Sequence, residues 1–188
     1  MAALPTVRLV PFEPGLLPRV LPWFDHPEVQ RRLGDRSWPE REVALRTFPP
    51  SEEFRGRRVL RAHTHVALDG DGAPVAQVGG EVYGSWSTWD PATERVTAAD
   101  PRRTMGAAYV VDPARWGRGY ARATLRALVA APEVADVEQF VLGIEPDNTA
   151  SLRAAAAAGF EPLTTEPDAE DMVYLHRLRR GCRTQLPG

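Results

Sequence analysis

The chain contains no lysine: all 23 of its basic residues are arginine, set against 25 acidic residues for a formal charge of −2. Without a Gly-Lys-Ser/Thr sequence there is no nucleotide P-loop. The near-neutral balance gives no electrostatic ground for a nucleic-acid partner or an anionic membrane surface. The lack of lysine matches a GC-rich codon bias, which also supplies the alanine, proline and arginine. A single cysteine, Cys182, excludes an intrachain disulfide. Its place in an Arg-rich tail fits an incidental surface thiol. No apolar run approaches the roughly 20 residues that span a bilayer. The opening residues MAALPTVRLV lack a basic start followed by an apolar stretch, so no signal peptide is expected. Internal repeats and low-complexity linkers are absent. These absences predict a soluble, cytoplasmic protein. Its 188 residues predict one domain spanning 1–188, with a core over about 6–180.

The most informative segment present is YVVDPARWGRGYARATLRALVAA, residues 109–131. It reads as a buried strand (Tyr109, Val110, Val111), a break at Asp112-Pro113, a glycine-rich turn and a helix. Side-chain bulk is nearly absent at alternate positions of Trp116, Gly117, Arg118, Gly119, Tyr120 and Ala121. Bare backbone at a helix start exposes N–H groups that no helical carbonyl satisfies. With the positive end of the helix dipole, those donors suit a phosphate. A dinucleotide fingerprint would need a third glycine where Arg122 stands, and an acidic residue about 20 positions on at the end of the next strand. Neither requirement is met.

A second segment, QFVLGIEPDNTASLRAAAAAGF (residues 139–160), reads as an apolar strand, a turn at Glu145-Pro146-Asp147, and a helix capped by Asn148. Gly159 stands in the helix-stopping position, with Phe160 placed to fold back as its hydrophobic contact. Phosphate turn, helix, strand, Asn-initiated helix and Gly-Phe stop, in this order, resemble the GNAT (GCN5-related N-acetyltransferase) superfamily of acyl-CoA-dependent N-acyltransferases. The resemblance is strongest over 109–160. VRLVPF and PWFDHPEVQRRLG, together with Trp-Gly-x-Gly-Tyr-Ala and Asp-Asn-x-x-Ser, resemble the branch that includes ribosomal-protein N-terminal and aminoglycoside acetyltransferases.

Period and turn signals predict the remaining elements. Thr6–Phe12 alternates as a strand. The prolines at 18, 22 and 27 divide 14–33 into two short helices, and a helix over Glu40–Thr47 stops at Pro49-Pro50. Arg58–Leu68 and Ala73–Tyr83 form a hairpin across Asp69-Gly70-Asp71-Gly72. Residues 85–103 read as a long polar loop. Strands follow at Met105–Val111 and Val137–Ile144, a helix at Gly119–Ala131, and a last strand at Met172–Leu178 after a polar loop. The resemblance implies an α/β fold: a twisted, mostly antiparallel sheet of six to seven strands with helices on both faces. The strands ending at Val111 and beginning at Val137 should splay apart, and a pantetheine arm should pair with the free edge at Ala108–Val111.

The reaction so implied is direct attack of a neutral amine on acetyl-CoA, which needs no covalent intermediate and no metal. The resemblance places acetyl-CoA against Val110, Val111, Trp116, Gly117, Arg118, Gly119, Tyr120, Ala121, Arg122, Asn148 and Ser151. The thioester oxygen should meet a backbone N–H at a strand bulge near Tyr109–Val111. The tyrosine that many relatives carry seven residues after the Asn is here Ala155, so that acid is missing. Ser151 and Tyr109 are the candidates for protonating the thiolate, against a solvated hydroxyl and a packing phenol. Glu81 is the candidate base, because a carboxylate within an apolar strand needs a reason. The competing reading is plain alternation, with Glu81 facing solvent. His63 and His65 share a strand face and could relay protons, but partly exposed strand histidines without a metal are the simpler reading. Glu145 fits a turn-shaping role.

Trp86, Trp89 and Asp90, with Glu94 and Asp100, are the candidates for holding a cationic acceptor between the first helices and the 85–103 segment. Arg95, Arg102 and Arg103 oppose them. The expected partner is a small-molecule or peptide amine, and a homodimer is the assembly to test. Two alternatives stand beside the transferase: a non-catalytic acyl-CoA-binding module, and a partner-binding protein whose two loop tryptophans form an apolar patch.

Overall fold

The structure is a computed structural model that describes residues 4–45, 47, 53 and 55–179. Pro49, Pro50 and Cys182 lie outside those residues. Seven strands form the main sheet: β1 (Arg8–Pro11), β2 (Val59–Leu68), β3 (Pro74–Tyr83), β6 (Thr104–Val111), β7 (Gln139–Ile144), β8 (Glu161–Pro162) and β9 (Val173–Leu178). Their spatial order is β1-β2-β3-β6-β7-β9-β8, antiparallel throughout except for β6 against β7. Helices α1 (Leu17–Val20), α2 (Pro27–Leu33) and α3 (Ser37–Ala44) cover one face, and α4 (Tyr120–Ala130) and α5 (Thr149–Ala157) the other.

Alternation along the strands divides the core. Val78, Val82, Met105, Phe140, Leu142 and Ile144 pack with Leu125, Leu128 and Ala155 of α4 and α5. On the opposite face Val66, Leu68 and Val110 meet Val20, Trp23, Phe24 and Val29. Each such large apolar side chain, fully withdrawn from water, contributes roughly 1.5–3 kcal/mol. The Asp69–Gly72 turn forms as its residues predict, with Asp69 Oδ1 accepting from the N–H groups of Asp71 and Ala73 at 3.1 and 2.9 Å.

Three expectations need correction. The third helix begins at Ser37 rather than Glu40, because Asp35 Oδ1 accepts from Ser37 N–H at 2.9 Å and starts the turn earlier. Residues 85–103 are a second, two-stranded sheet and not a loop, with β4 (Trp86–Asp90) pairing β5 (Arg95–Asp100). Asp90 holds the intervening turn, accepting from Ala92 N–H at 2.9 Å and from the Thr93 hydroxyl at 2.7 Å. The short strand β8, within the stretch read as polar loop, completes the sheet edge.

The splay is present, without the bulge. Register between β6 and β7 runs from Thr104↔Gln139 to Ala107↔Leu142 and then ends. Register between β3 and β6 continues unshifted to Ala76↔Val111. Ala108–Val111 therefore presents an edge that β7 does not pair, and the alternate N–H and C=O groups facing away from β3 have no strand partner, the Val111 carbonyl being taken by the Trp116 indole. Divergence of the strands, not an inserted residue, makes the gap.

Candidate active site

The turn before α4 takes its shape from two glycines in the left-handed region, Gly117 at φ +73° and Gly119 at φ +84°. Gly119 is the N-cap and no side chain caps the helix, while Ala123 N–H is the first to find a carbonyl within it, that of Gly119 at 3.0 Å. The N–H groups of Tyr120, Ala121 and Arg122 are thus the uncompensated donors of a helix start. Among the described residues, the Nε of Arg122 is buried without a hydrogen-bond partner. A half-buried guanidinium with an unpartnered Nε on the first turn of that helix fits an anion, so the residues present suit the diphosphate of an acyl-CoA. Trp116 donates its indole N–H to the Val111 carbonyl at 2.8 Å, lies edge-on to His26, and is 43% exposed. A Cβ on Gly119 would stand 3.3 Å from Pro5. That direction leads to the amino-terminal segment, so bulk at 119 strains the backbone and does not fill the cradle.

Asn148 caps α5 as its position predicts, its Oδ1 accepting from Ser151 N–H at 3.1 Å. The helix ends in a Schellman motif, with Phe160 N–H bonded to the Ala155 carbonyl and Gly159 N–H to that of Ala156. Tyr109 points to this side of the sheet and its hydroxyl lies 3.5 Å from the Ser151 carbonyl oxygen. Burial raises the Tyr109 phenol above its ordinary value. The fold therefore brings Tyr109 and Ser151 together on the α5 side of the gap. Ala155, which stands where many relatives carry a tyrosine, is fully buried.

Glu81 lies on the opposite face, with Gln77 and Gly79, beneath the first helices. It is half-buried and accepts from the Tyr83 hydroxyl at 2.7 Å. Burial first, and this bond second, push the Tyr83 phenol well above its ordinary value. Beside Glu81 is a residue that sequence reasoning passed over. Glu42 of α3 accepts from the Gln77 amide at 3.1 Å, and burial pushes its carboxyl up to about 7. The Gln77 bond opposes that rise and the Glu81 charge adds to it. Both carboxylates line a cavity of about 390 Å³ whose floor is Gly79, Gly80, Gly106, Ala107, Ala108, Val141 and Gly143, the residues flanking the split. A Cβ on Gly80 would fall 1.9 Å from the Gly106 carbonyl oxygen, so the strands approach too closely there for any side chain. Catalytic candidates thus face the gap from both sides of the sheet.

His63 and His65 are on the other face of β2 from Thr64, whose hydroxyl reaches α3. They are stacked on each other, and Arg61 Nε donates to His63 at 2.9 Å. His65 is only 4% exposed, which replaces the expectation of a partly exposed residue. Among the described residues no His/Cys/Asp/Glu cluster could hold a metal. Glu145 does shape its turn, since its carbonyl accepts from Asn148 N–H and its carboxylate pairs with Arg32 of α2.

A larger cavity, about 1000 Å³, opens between the β4–β5 hairpin and residues 163–174 and shares Glu81, Tyr83 and Trp86 with the first. Trp89, Asp100, Asp168, Glu170 and Tyr174 also line it, with Glu53 and the two arginines Arg55 and Arg57. Trp86 is not free to stack on an incoming cation with both faces, because the Arg57 guanidinium lies 3.6 Å from its ring centroid. Asp90 belongs to neither lining.

The acetyltransferase (GNAT) domain model matches residues 6–161. An uncharacterized N-acetyltransferase of Bacillus subtilis (strain 168), YfmK, is 36% identical over 66 residues, which are 35% of this chain and 45% of that protein. The chain thus matches less than half the length of that relative. Among solved structures, aminoglycoside acetyltransferase AAC(6')-Ib in complex with coenzyme A matches with a TM-score of 0.64 at 17% identity, over 93% of this chain and 95% of that one. An acetyltransferase of Salmonella typhimurium that modifies the N-terminal serine of 50S ribosomal subunit protein L7/L12 matches with a TM-score of 0.63 at 16% identity and the same coverage. At such identities the likeness is one of fold. Among the described residues no helix is long and apolar enough to cross a membrane.

Proposed function

Because this chain belongs to the GNAT acetyltransferase domain family, whose model spans most of its length, we propose that it transfers an acetyl group from acetyl-CoA directly to a primary amine in the cytoplasm. The observation that carries this reading is the succession of three features along β6 and the chain that follows it. They are the uncapped glycine turn before α4, the unpaired β6 edge over Ala108–Val111, and the carboxylate-lined cavity where β6 and β7 part. The diphosphate would lie on the N–H groups of Gly117–Arg122 with Arg118 and Arg122 beside it. The pantetheine would lie along Val110 and Val111, its amides pairing with the outward-facing backbone groups of Tyr109 and Val111, and Asn148, Ser151 and the Tyr109 side chain would border the sulfur end. Acetyl-CoA supplies the activated thioester. The chain's own groups orient it, exclude water and manage protons.

The amine would enter through the larger cavity. Its lining carries five carboxylates, Glu53, Glu81, Asp100, Asp168 and Glu170, against two arginines. An excess of carboxylates with aromatic walls favours an ammonium-bearing acceptor. The aminoglycoside and protein N-terminal substrates of the structural neighbours are both amines of this charge, and both belong in the test. The test pairs acetyl-CoA with polyamines, aminoglycosides, amino acids and short peptides and reads free thiol. Release with cationic amines, with KM rising with salt, is the expected result. Acetyl-CoA that stabilises the fold without thiol release on any amine would leave a non-catalytic binding module, and absence of stabilisation would remove the reading.

A further inference from the structure

Resting on that reading, we infer that Glu42, rather than Glu81, is the group that takes the proton from the incoming ammonium. Glu42 reaches the cavity from α3, outside the sheet whose strands form the gap. Its Oε2 is fixed by the Gln77 amide at 3.1 Å, and its own carbonyl accepts from the Thr64 hydroxyl at 3.1 Å. Gly79 lines the same cavity, and no side chain fits there: a Cβ would meet the His63 carbonyl oxygen at 2.6 Å. The cavity runs from Glu42 to Ala108, where the unpaired β6 edge begins. Each carboxylate keeps one oxygen outside its bond, but Glu81 lies in the strand beside its partner Tyr83, whereas Glu42 comes to the cavity from the helix above.

Among the described residues, the groups that face Glu42 are few. β3 contributes Gln77, Glu81 and, lining the same cavity, Tyr83, while β2 contributes the Thr64 hydroxyl and α3 itself contributes Arg41. β6 and β7 contribute only Gly106, Ala107, Ala108, Val141 and Gly143, none of them ionisable, and β4 adds Trp86. Burial therefore dominates, and the carboxyl is pushed up to about 7. An alkyl ammonium with a pKa of about 10.4 gives its proton to such a group against a gap of some three powers of ten, where an ordinary glutamate faces about six. In the step, the Glu42 carboxylate removes one proton from the ammonium and the freed nitrogen pair forms the C–N bond. The C–S bond breaks with its electron pair going to sulfur. The second N–H proton lost on amide formation ends on that sulfur, and Glu42 returns its own proton to solvent. Ammonium and acetyl-CoA thus give amide, CoA thiol and one proton.

The experiment measures kcat for an accepted amine from pH 5.5 to 9 by thiol release. Wild type should show an acid limb with its inflection near 7. Glu42→Gln should lose that inflection and drop kcat about 10²–10⁴-fold at neutral pH, with the loss shrinking toward pH 9. Glu81→Gln should keep the inflection and move it to lower pH, because the Glu81 charge helps raise Glu42. Retained stabilisation by acetyl-CoA in Glu42→Gln shows that the fold and the cradle stand. An active wild type whose acid limb survives in Glu42→Gln, or vanishes only in Glu81→Gln, overturns this assignment alone. A wild type that releases no thiol with any amine overturns the transferase reading and this assignment with it.

Discussion

Glu42→Gln should stabilise the protein, and only above the pH at which an exposed glutamate ionises. In the unfolded chain the carboxyl takes the ordinary glutamate value of 4.5, whereas burial in the fold pushes it up to about 7. Below 4.5 it is neutral in both states and contributes no pH dependence. Between 4.5 and 7 the folded protein holds a proton that the unfolded chain releases, so stability falls as pH rises. Above 7 the loss is complete. At about 1.4 kcal/mol per tenfold in equilibrium the gap amounts to about 3 kcal/mol, and water in the cavity trims this toward about 2. A glutamine keeps the acceptor that Gln77 needs and has no proton to lose. Its advantage over wild type should therefore grow from almost nothing near pH 3.5 to roughly 5–10 °C in Tm at pH 8, for a chain of this size. Thermal and urea unfolding of both proteins at constant ionic strength, from pH 3.5 to 8, would measure it. The other titrating groups largely cancel in the difference between the two curves. Parallel curves, or a Glu42→Gln protein less stable at pH 8, would show that the carboxyl is not held in a desolvated site.

Two further substitutions address the frame and the cradle. Ala121→Glu places negative charge on the second residue of α4. It should abolish the stabilisation by acetyl-CoA, roughly 2.7 kcal/mol at about 100 times Kd in wild type, and a retained thermal shift would move the diphosphate elsewhere. Gly80→Ala sets a methyl 1.9 Å from the Gly106 carbonyl oxygen. It should cost roughly 2–4 kcal/mol as strain at a close backbone approach, so a urea midpoint unchanged from wild type would mean that β3 and β6 are not in this register.

Features encoded by short-range chemistry were legible in the sequence. Asp69-Gly-Asp-Gly closes its own turn, Asn148 caps its own helix, and Gly159 with Phe160 completes the stop, each within a few residues of chain. The glycine turn before α4 was readable for the same reason. The 85–103 hairpin was not, because period-2 alternation signals a strand only where one face is buried. Residues 95–99 of β5 are all exposed, and no Asn-Gly or Asp-Gly marks the turn. Its evidence lay in the β-favouring Trp, Thr and Val residues, outweighed by polar neighbours. Glu42 gave no local signal at all. In PEREVA it reads as one charge on a solvated helix face, and its partner Gln77 is 35 residues away. Glu81 was visible only because its strand is otherwise apolar.

The β4–β5 hairpin forms one wall of the larger cavity yet belongs to no strand ladder of the main sheet. It is fastened chiefly at its base, where Arg57 donates to the Ser87 carbonyl, the Ser87 hydroxyl donates to the Arg55 carbonyl at 2.6 Å, and Ser87 is 1% exposed. Beyond that anchor Thr88, Trp89, Ala98 and Ala99 reach the cavity without supporting the core. Energetic coupling between sites fades when they share no partners. Randomising those four positions should therefore change which acceptors are taken while leaving the melting behaviour of the seven-stranded frame almost untouched. The molecule is divided into a conservative chassis and an exchangeable sleeve, and laboratory evolution of new specificities has an obvious place to begin.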